Sequence, residues 1–383
     1  MFVARQIEAR LRELLPQYPI LALTGPRQSG KTTLLKKVFP DYQYLSLEDT
    51  DLRSFAENDP IGFIKKYPER IIFDEAQRVP LLFSYLQTAV DKSGKMGQFI
   101  LSGSQNFHLM SSITQSLAGR VALFKLLPLD FQELRQAGLL ENDWKEQLLK
   151  GCYPAIYDRK INPAVFYSNY LQTYIDRDVR ELSRVQDLRL FRNFLALCAA
   201  RTGQLLNLSN LANECGISQP TAKSWLSVLE SSYIVFQLQP YYQNFNKRIS
   251  KTPKLYFYDT GLASFLLDMR QTADLDNPTL LGSLFENLVI AEFHKQNHHQ
   301  YRLKEYWFWR DALGNEVDLL SKSGQMFELF EVKSTQTVLP ALFKGLDYFA
   351  GLAGEKVKEK TLIYGGQENQ DRTLYKVRAW NGV

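Results

Sequence analysis

The spacing of hydrophobic and polar positions changes several times along the chain, and each spacing predicts a different element. Between residues 2 and 15 apolar side chains recur at helical spacing, which predicts an amphipathic helix that ends before Pro16 and Pro19. The apolar run at residues 20–23 then predicts a buried strand. From Pro19 to about Leu134 such strands alternate with helical segments, as is typical of a parallel sheet with helices on both faces. The predicted fold class is therefore α/β.

The pattern is different after the predicted sheet. Residues 135–205 are mostly helical in spacing, and residues 208–258 predict two helices, with Gly216 at the turn between them, followed by a β-hairpin. This order of elements resembles a winged helix. In the last third of the chain, a helix precedes strands at residues 316–320 and 326–333, which a short turn joins into a second hairpin.

Composition and charge limit the class of protein. With 383 residues, 45% hydrophobic and 23% charged, the chain resembles soluble globular proteins of two or three domains. No apolar run approaches the ~20 residues of a membrane helix, and the N-terminal residues carry early charges without a secretory core. The three cysteines (Cys152, Cys198 and Cys215) lie far apart, without metal-ligand spacing. We therefore expect a cytoplasmic protein without a membrane partner, and the net charge of +5 permits nucleic-acid binding.

The most informative segment is GPRQSGKT, which fits the P-loop pattern G-x-x-x-x-G-K-[ST] between a predicted strand and a predicted helix. Its glycines let backbone N–H groups turn toward phosphate oxygens, and the helix N-terminus favours an anion. Lys31 would reach the β- and γ-phosphates, and the Thr32 hydroxyl would ligate Mg²⁺. The predicted nucleotide-binding residues are Gly25, Pro26, Arg27, Gln28, Ser29, Gly30, Lys31, Thr32 and Thr33.

A second motif, RIIFDEA, passes from apolar residues into two carboxylates, as expected for a buried strand whose C-terminal end faces a ligand. Asp74 would hold Mg²⁺ directly or through water, and Glu75 would polarise the water that attacks the γ-phosphate. The next predicted strand ends in Ser104, Gln105 and Asn106. These three residues are the candidates for a polar sensor of the γ-phosphate, and the sequence does not choose among them.

Catalysis at such a site depends on positioning and charge neutralisation, and an arginine often stabilises the transition state. Arg120 is the candidate for this role. A neighbouring subunit can supply it, in which case the protein is a homo-oligomer, and the alternative is a surface or salt-bridged arginine. Arg27, inside the P-loop, could touch phosphate or close the loop against an acid. The predicted catalytic set is Lys31, Glu75, Ser104 and Arg120.

The predicted DNA contacts lie on the second helix and the hairpin of the segment that resembles a winged helix. Helical spacing of the apolar positions leaves Thr221, Lys223 and Ser224 exposed, as a recognition helix requires. A cluster of cations near the hairpin strands could hold a phosphate backbone. The alternative is a structural or protein-docking module. The predicted DNA-binding residues are Thr221, Lys223, Lys247, Arg248, Lys251 and Lys254.

The C-terminal third carries a second set of charged residues. Alternation places Glu316 and Asp318 on one face of their strand, and Glu331 and Lys333 on one face of the next. Because the two strands form a predicted hairpin, Asp318, Glu331 and Lys333 can converge, and Glu286 could join them from the preceding helix. Carboxylates in this arrangement bind a hard divalent cation, and a lysine beside them can orient water for phosphodiester attack. The alternative is a nuclease-type fold retained for binding, with its chemistry lost.

In this order the motifs resemble a widespread prokaryotic family of AAA+-type ATPases fused to a C-terminal domain of uncharacterised function. The resemblance implies ATP binding and hydrolysis, a winged helix, and a restriction-endonuclease-like part of the PD-(D/E)xK type. The segments that carry it are GPRQ at 25–28, LSLED at 45–49, FDEAQ at 73–77, LSGS at 101–104, YIDRD at 174–178, FEN at 285–287, EVD at 316–318 and FEVK at 330–333.

Three regions follow from the motifs and from this resemblance. Residues 1–135 are predicted to form a P-loop AAA+-type ATPase domain, residues 136–270 a helical and winged-helix region, and residues 277–383 a restriction-endonuclease-like domain. The leading hypothesis is a Mg²⁺-dependent ATPase that acts as a motor or remodeller on DNA, with forked or branched DNA as the candidate substrate. The alternatives are an ATP-gated nuclease and a nucleotide switch that acts through protein partners.

Overall fold

The computed structural model describes residues 2–104, 116–175, 187–242, 251–275 and 277–383. The chain divides into two compact units. The first consists of Met1–Leu129, Ser231–Tyr233 and Gln296–Arg302, and the second of Asp130–Glu230, Ile234–Lys295 and Leu303–Val383.

The first unit is built on a five-stranded sheet in which all pairs of neighbours run parallel. Its strands are β1 (Ile20–Thr24), β2 (Gln43–Ser46), β3 (Ile71–Asp74), β4 (Phe99–Gly103) and β5 (Val121–Lys125), in the order β2-β3-β4-β1-β5. Its helices are α1 (Glu8–Leu14), α2 (Lys31–Val38), α3 (Thr50–Asn58), α4 (Pro60–Lys66) and α5 (Leu82–Ser93), with a 3₁₀ turn at Ala76–Arg78.

Strand alternation explains how the sheet is covered on both faces. Ile20 and Ala22 of β1 belong to one apolar cluster, whereas Leu21 and Leu23 belong to another. Successive strand residues point to opposite faces, so β1 is buried on both sides by helices. The predicted α/β class with an N-terminal parallel sheet is therefore confirmed.

The N-terminal helix is shorter than the sequence predicts, because it begins at Glu8 instead of residue 2. The Arg5 side chain leaves the helical path and is buried, where it donates hydrogen bonds to the carbonyl oxygens of Ser29 (2.8 Å) and Leu127 (2.7 Å). A helix that started at residue 2 would present Arg5 on a helical face instead. Amphipathic spacing alone does not detect this long-range contact.

The second unit contains helices and two further sheets. The helices that begin in this unit are α6 (Phe131–Gln136), α7 (Trp144–Lys150), α8 (Pro154–Asp158), α9 (Pro163–Tyr170), α10 (Leu188–Ala200), α11 (Leu208–Cys215), α12 (Gln219–Ser231), α13 (Thr260–Leu266), α14 (Pro278–His299) and α15 (Lys344–Ala353). A π turn lies at Leu171–Ile175, and 3₁₀ turns lie at Thr272–Asp274, Pro340–Phe343, Gly354–Lys356 and Trp380–Gly382.

Helices α11 and α12 and a small β-ribbon follow the predicted order. Gly216 ends α11 with a φ of 71°, a value in the left-handed region that glycine adopts without steric cost. The ribbon consists of β6 (Val235–Leu238) and β7 (Lys254–Phe257), which pair antiparallel. Two helices and a ribbon in this order agree with the predicted element order, and a winged helix stays a prediction.

The larger sheet of the second unit has six strands. They are β8 (Tyr306–Arg310), β9 (Glu316–Ser323), β10 (Met326–Lys333), β11 (Val357–Tyr364), β12 (Gln370–Asp371) and β13 (Lys376–Ala379), in the order β12-β13-β11-β10-β9-β8. Strands β9 and β10 form the predicted hairpin, with Phe330 opposite Leu319, and β10 pairs in parallel with β11. The hairpin brings the charged ends of β9 and β10 to one edge.

Helix α14 is the longest described helix, with 22 residues, and it contains buried polar side chains. Asn287 is fully buried and exchanges hydrogen bonds with the Phe257 backbone, at 2.7 Å to its N–H and 2.8 Å to its carbonyl. This contact fixes α14 against β7. Among the described residues, no helix combines the length and apolar character that crossing a membrane requires.

Candidate nucleotide site and carboxylate cleft

The P-loop follows β1 directly, and two glycines determine its path. Gly25 has a φ of 150°, and a Cβ atom at this position would lie 2.0 Å from the Leu126 carbonyl oxygen. Gly30 has a φ of 94° and precedes the first residue of α2. Both positions therefore require glycine, which explains two fixed positions of the sequence motif.

Lys31 is the first residue of α2 and is buried. Its ammonium donates hydrogen bonds to the carbonyl oxygens of Gly25 (2.8 Å) and Pro26 (2.9 Å), inside the curve of the loop. Burial lowers the pKa of Lys31 to about 8, although the carboxylates of Glu75 and Asp74 partly oppose the shift. The loop thus surrounds a positive charge, whose hydrogen bonds to the described part of the chain end on neutral carbonyl oxygens.

Asp74 ends β3 and is also buried. Its Oδ2 atom accepts hydrogen bonds from the Thr32 hydroxyl (2.8 Å) and the Tyr44 hydroxyl (2.6 Å). Burial, followed by the hydrogen bond to Asp74, raises the pKa of Tyr44, so its hydroxyl stays a donor. The predicted pair of Thr32 and Asp74 therefore meets, and their oxygen atoms are of the kind that Mg²⁺ prefers.

Tyr44 was not predicted as part of the site. Its strand, β2, pairs with β3 in a register that places Ser46 opposite Asp74. Sequence spacing does not reveal that β2 is the neighbour of β3, because strand order is a tertiary property. Only the alternation of β2 could have indicated that Tyr44 and Ser46 lie on one face.

Glu75 follows Asp74 and has a φ of 53°, which is unusual for a residue other than glycine. Its Oε2 atom accepts hydrogen bonds from the Ser104 hydroxyl, at 3.0 Å, and from the Gln77 amide. The turn and these two donors fix the carboxylate at the carboxyl edge of the sheet. Of the three sensor candidates, Ser104 is brought to Glu75, whereas Gln105 and Asn106 lie outside the described residues.

The remaining predicted loop residues are placed as follows. The Arg27 guanidinium lies 3.9 Å from a carboxylate oxygen of Glu48, and Arg78 lies 3.5 Å from the same oxygen. This contact agrees with the second predicted role of Arg27, closure of the loop against an acid, and a contact with phosphate stays a prediction. Gln28 and Thr33 are exposed, whereas Ser29 is buried and its carbonyl oxygen accepts the bond from Arg5.

Arg120 lies at the other edge of the sheet. It precedes β5, whose first residue pairs with Ile20 at the start of β1, whereas the P-loop follows the end of β1. Its guanidinium binds both oxygens of Asp91, at 2.5 Å and 2.8 Å. Arg120 therefore lies away from the P-loop of its own chain and forms an ion pair, which is the predicted alternative of a salt-bridged arginine, and its supply to a neighbouring subunit stays a prediction.

The charged residues of the C-terminal part meet in a cleft of about 530 Å³ in the second unit. We call it the carboxylate cleft, and its lining residues are Gly203, Gln204, Leu205, Lys254, Glu286, Arg310, Glu316, Asp318, Glu331 and Lys333. All four predicted residues of the nuclease-type set are among them. Glu316, which was not included in that set, offers an oxygen within 4.8 Å of oxygens from Glu286 and Asp318.

Asp318 lies at the centre of the contacts. Its Oδ2 atom accepts hydrogen bonds from the Val332 backbone (2.9 Å) and the Lys333 ammonium (3.1 Å). Burial by itself would raise the pKa of Asp318, but the charges of Lys333 and Lys254 outweigh burial and lower it. Asp318 is therefore a buried carboxylate held in its charged form by two lysines.

Glu331 and Lys333 form the second ion pair of the cleft, with 2.6 Å between their charged atoms. Burial, followed by the neighbouring charge of Asp318, raises the pKa of Glu331 to about 8. The Oε2 atom of Glu331 is buried and has no hydrogen-bond partner among the described residues. The E-x-K spacing thus places both groups at the cleft, as predicted.

The position of Lys254 in the structure contradicts the prediction that this residue contacts DNA. Only 3% of its surface is exposed, and its ammonium pairs with Glu286 at 2.8 Å and with Glu316. Burial alone would lower the pKa of Lys254, but the charges of Glu286, Glu316 and Asp318 raise it well above its ordinary value. The assignment of Lys254 to DNA contact is therefore corrected, because a buried ammonium bound to carboxylates is not available to a phosphate backbone.

The other predicted DNA contacts are distributed differently. Lys223 and Lys251 are exposed, and Thr221 is half-buried and lies 2.7 Å from the Ser218 hydroxyl. The burial of Ala222, Trp225, Leu226 and Leu229 agrees with the predicted inner face of α12. Lys247 and Arg248 lie outside the described residues.

Three family models match the chain. Residues 17–135 match a model described as an AAA domain, and residues 141–273 and 281–380 match two domains of unknown function, DUF8612 and DUF4143. The AAA-type P-loop ATPase fold of the first part is therefore confirmed. The nuclease-like character of the last part stays a prediction.

Relatives extend over almost the whole chain. Uncharacterized proteins of Mycobacterium tuberculosis and Mycobacterium bovis are each 30% identical over 369 residues, which cover 95% of this chain and 80% of each relative. Among solved structures, a Walker-type ATPase of Pyrococcus abyssi is 17% identical, with a TM-score of 0.47, over 70% of this chain and 96% of that chain. This chain therefore belongs to the family of the two mycobacterial proteins, and its first part is an AAA domain with the fold of P-loop ATPases.

Proposed function

We propose that the protein binds ATP with Mg²⁺ at the P-loop and hydrolyses it. The observation that carries this proposal is the 2.8 Å contact between the Thr32 hydroxyl and Asp74, beside the buried ammonium of Lys31. A hydroxyl and a carboxylate at the end of a strand offer oxygen ligands to a hard cation. The ammonium beside them is paired with neutral carbonyl oxygens, which phosphate oxygens can replace with a gain in electrostatic energy.

Each side chain has a distinct part in this reaction. Lys31 binds phosphate oxygens, and Thr32 and Asp74 hold Mg²⁺, which neutralises charge on the transferred group. Glu75 orients the attacking water, and Ser104 donates to the same carboxylate from β4. The reaction therefore relies on groups positioned by neighbouring parallel strands, as in phosphoryl transfer generally.

Arg120 is proposed to act on the nucleotide of a neighbouring subunit. Its position at the edge of the sheet opposite the P-loop is compatible with this proposal, and its ion pair with Asp91 would have to open for Arg120 to reach a nucleotide. The test mixes two variants, Arg120→Ala and Lys31→Ala. Each is expected to be inactive alone, and mixing should restore measurable ATP turnover, because some subunit pairs then combine an intact P-loop with an intact arginine. Arg120→Ala protein that keeps full turnover would refute the role.

We further propose that ATP hydrolysis acts on DNA, which the second unit would contact. The exposed positions of Lys223 and Ser224 on α12, opposite a buried apolar face, support this proposal. Exposed Lys251 adds a cation beside the ribbon. With Lys254 removed from the predicted set, the basic surface is smaller than the sequence suggests, so DNA contact rests on fewer described residues.

The alternative function is an ATP-gated nuclease. The convergence of Glu286, Asp318, Glu331 and Lys333 in one cleft favours it, because these are the residue types of a metal-dependent nuclease. This function requires DNA cleavage that depends on Mg²⁺ or Mn²⁺ and that Asp318→Ala abolishes. The position of Lys254 weighs against it.

The deciding experiment measures ATP turnover at fixed salt and Mg²⁺, without nucleic acid and with single-stranded, duplex, forked and four-way-junction DNA. Wild type is compared with Lys31→Ala and with Lys65→Ala, a matched control at an exposed lysine of α4. We expect turnover in wild type and Lys65→Ala, its loss in Lys31→Ala, and stimulation by at least one DNA. A rate of ATP turnover that is the same with and without every DNA would refute the DNA proposal and favour a nucleotide switch that acts through protein partners.

A further inference from the structure

Lys254 lies at the point where the carboxylates of the cleft converge. Its ammonium is 2.8 Å from Glu286, pairs with Glu316, and is 4.0 Å from Asp318. Oxygens of these three carboxylates lie within 4.8 Å of one another, which is the separation that a single bound cation would bridge. An ammonium group of the chain itself therefore lies among two carboxylates of the predicted metal set, Glu286 and Asp318, and the neighbouring carboxylate of Glu316.

The ammonium and a divalent cation cannot share this position. A hard divalent cation binds carboxylate oxygens at ~2.0–2.6 Å, and it would have to displace an ammonium that already bonds to the same oxygens. Two cations only a few ångströms apart in a buried site repel each other strongly. The carboxylates therefore fit a monovalent ammonium better than an added metal.

The backbone and its neighbours hold Lys254 in place. It begins β7, where it pairs with Leu238 of β6, and it also bridges to Leu205. Two residues later, the Tyr256 hydroxyl donates to the same Glu286 oxygen, at 2.5 Å. Lys254 is thus fixed by a strand, and its contact with the carboxylates does not depend on the conformation of a loop.

Further cations bind the outer oxygens of the same carboxylates. Arg310 lies 2.7 Å from the second oxygen of Glu316, and Lys333 lies 3.1 Å from the second oxygen of Asp318. Three cationic side chains therefore surround the three carboxylates that face Lys254. These cations reduce the negative charge that attracts a divalent cation, and Glu331 adds a fourth acidic group to the cleft.

We propose that Lys254 is a built-in counter-ion that replaces the divalent cation of a nuclease-type site, so that the carboxylate cleft holds no catalytic metal and does not cut DNA. All residues of the PD-(D/E)xK motif are then present, and the difference from a metal-binding site comes from Lys254, which is not part of the motif. Replacement of Lys254 by an uncharged side chain would expose the three carboxylates as a divalent-cation site.

The first test is the binding of Mn²⁺ to the full chain without nucleotide, measured by electron paramagnetic resonance and calorimetry. Wild type and Asp318→Asn are compared, so that Mn²⁺ bound elsewhere cancels. The expected result is the same number of bound ions in both proteins. A wild-type site of micromolar affinity that Asp318→Asn removes would overturn the proposal, and this comparison needs no substitution of Lys254.

The second test uses Lys254→Met, which keeps the length of the side chain and removes its charge. We expect it to bind Mn²⁺ at least tenfold more tightly than wild type and to be stabilised by Mn²⁺ against heat. The gain should disappear in the double variant Lys254→Met/Asp318→Asn and be absent in Lys251→Met, a control at an exposed lysine. Folded Lys254→Met protein that gains no Mn²⁺ site would overturn the proposal.

Discussion

The P-loop and the carboxylate cleft each place a buried lysine near carboxylates, yet the two lysines are in opposite electrostatic states. Lys31 bonds to carbonyl oxygens of its own loop, and burial lowers its pKa to about 8. Lys254 bonds to Glu286 and Glu316, whose charges raise its pKa well above the ordinary value. The difference lies in the partner, because neutral carbonyls do not compensate the cost of burying a charge as carboxylates do.

This comparison distinguishes a site prepared for a ligand from a site that the protein completes itself. At the P-loop, Asp74 accepts hydrogen bonds from the hydroxyls of Thr32 and Tyr44, and the Lys31 ammonium bonds to carbonyl oxygens, so none of these contacts joins opposite charges. In the carboxylate cleft, Lys254 pairs directly with two carboxylates, so its charge is compensated within the chain. A buried lysine near carboxylates is therefore proposed to bind a ligand at the P-loop, whereas in the carboxylate cleft it is proposed to stabilise the fold.

The largest expected difference between Lys31 and Lys254 is in their effect on the free energy of unfolding, which is measured after the charge of each lysine is removed. Lys254→Met should lower the free energy of unfolding by about 3–5 kcal/mol, because it leaves buried carboxylates without their cation. Lys31→Met should change the free energy of unfolding by less than about 1 kcal/mol. The loss of two hydrogen bonds destabilises the protein, whereas removal of a buried charge stabilises it, and the two effects oppose each other. Urea unfolding at pH 7 measures both values.

The control for this pair is Lys65→Met, at an exposed position where no effect is expected. Equal destabilisation by Lys31→Met and Lys254→Met would show that burial alone, and not the partner, determines the contribution of each lysine.

A second prediction sharpens the role of Glu75 in the P-loop site. Glu75→Gln should lower kcat for ATP by about 100-fold or more, as does the loss of one preorganised catalytic group elsewhere. ATP affinity should change little, because Glu75 is assigned to the attacking water and not to the phosphates. Phosphate release and equilibrium ATP binding measure the two effects separately, and a large loss of affinity with unchanged kcat would contradict the assignment.

A third prediction concerns pH and follows from the lowered pKa of Lys31. The ammonium is charged below about pH 8 and loses its proton above it, so phosphate binding weakens as pH rises. We expect kcat/KM for ATP to fall by about tenfold per unit above pH 8, because this ratio reports groups of the free enzyme. The decline of kcat should begin at higher pH, since bound phosphate raises the pKa of the lysine.

The corresponding control is Lys31→Arg, whose side chain stays charged throughout the range. A decline of kcat/KM above pH 8 that persists in Lys31→Arg would assign the pH dependence to another group.

Motifs formed by consecutive residues could be predicted from the sequence. The P-loop needs only Gly25, Gly30 and the start of α2 in order, and its geometry follows from φ values that glycine permits. The hairpin that unites Asp318 with Lys333 could also be predicted, since alternation and a short turn determine which residues share a face. Local backbone geometry sufficed in both cases.

Contacts between distant elements could not be predicted in the same way. Tyr44 meets Asp74 because β2 neighbours β3, and Arg5 reaches the Ser29 carbonyl because the chain before α1 turns inward. Neither contact leaves a periodic signal in the sequence. The position of Arg120 could not be predicted either, because the register of β5 against β1 decides at which edge of the sheet it lies.

The P-loop, the carboxylates of β3 and the hairpin of the second unit follow from the amino-acid sequence alone, because neighbouring residues and strand alternation are sufficient for them. Tertiary structure decided what each charge faces. Lys254 was assigned to a basic surface by its cationic neighbours in sequence, whereas the fold places β7 beside α14 and buries its ammonium against Glu286. A charge acts through its partners in space, and the burial that strengthens such a pair exists only once the chain has folded.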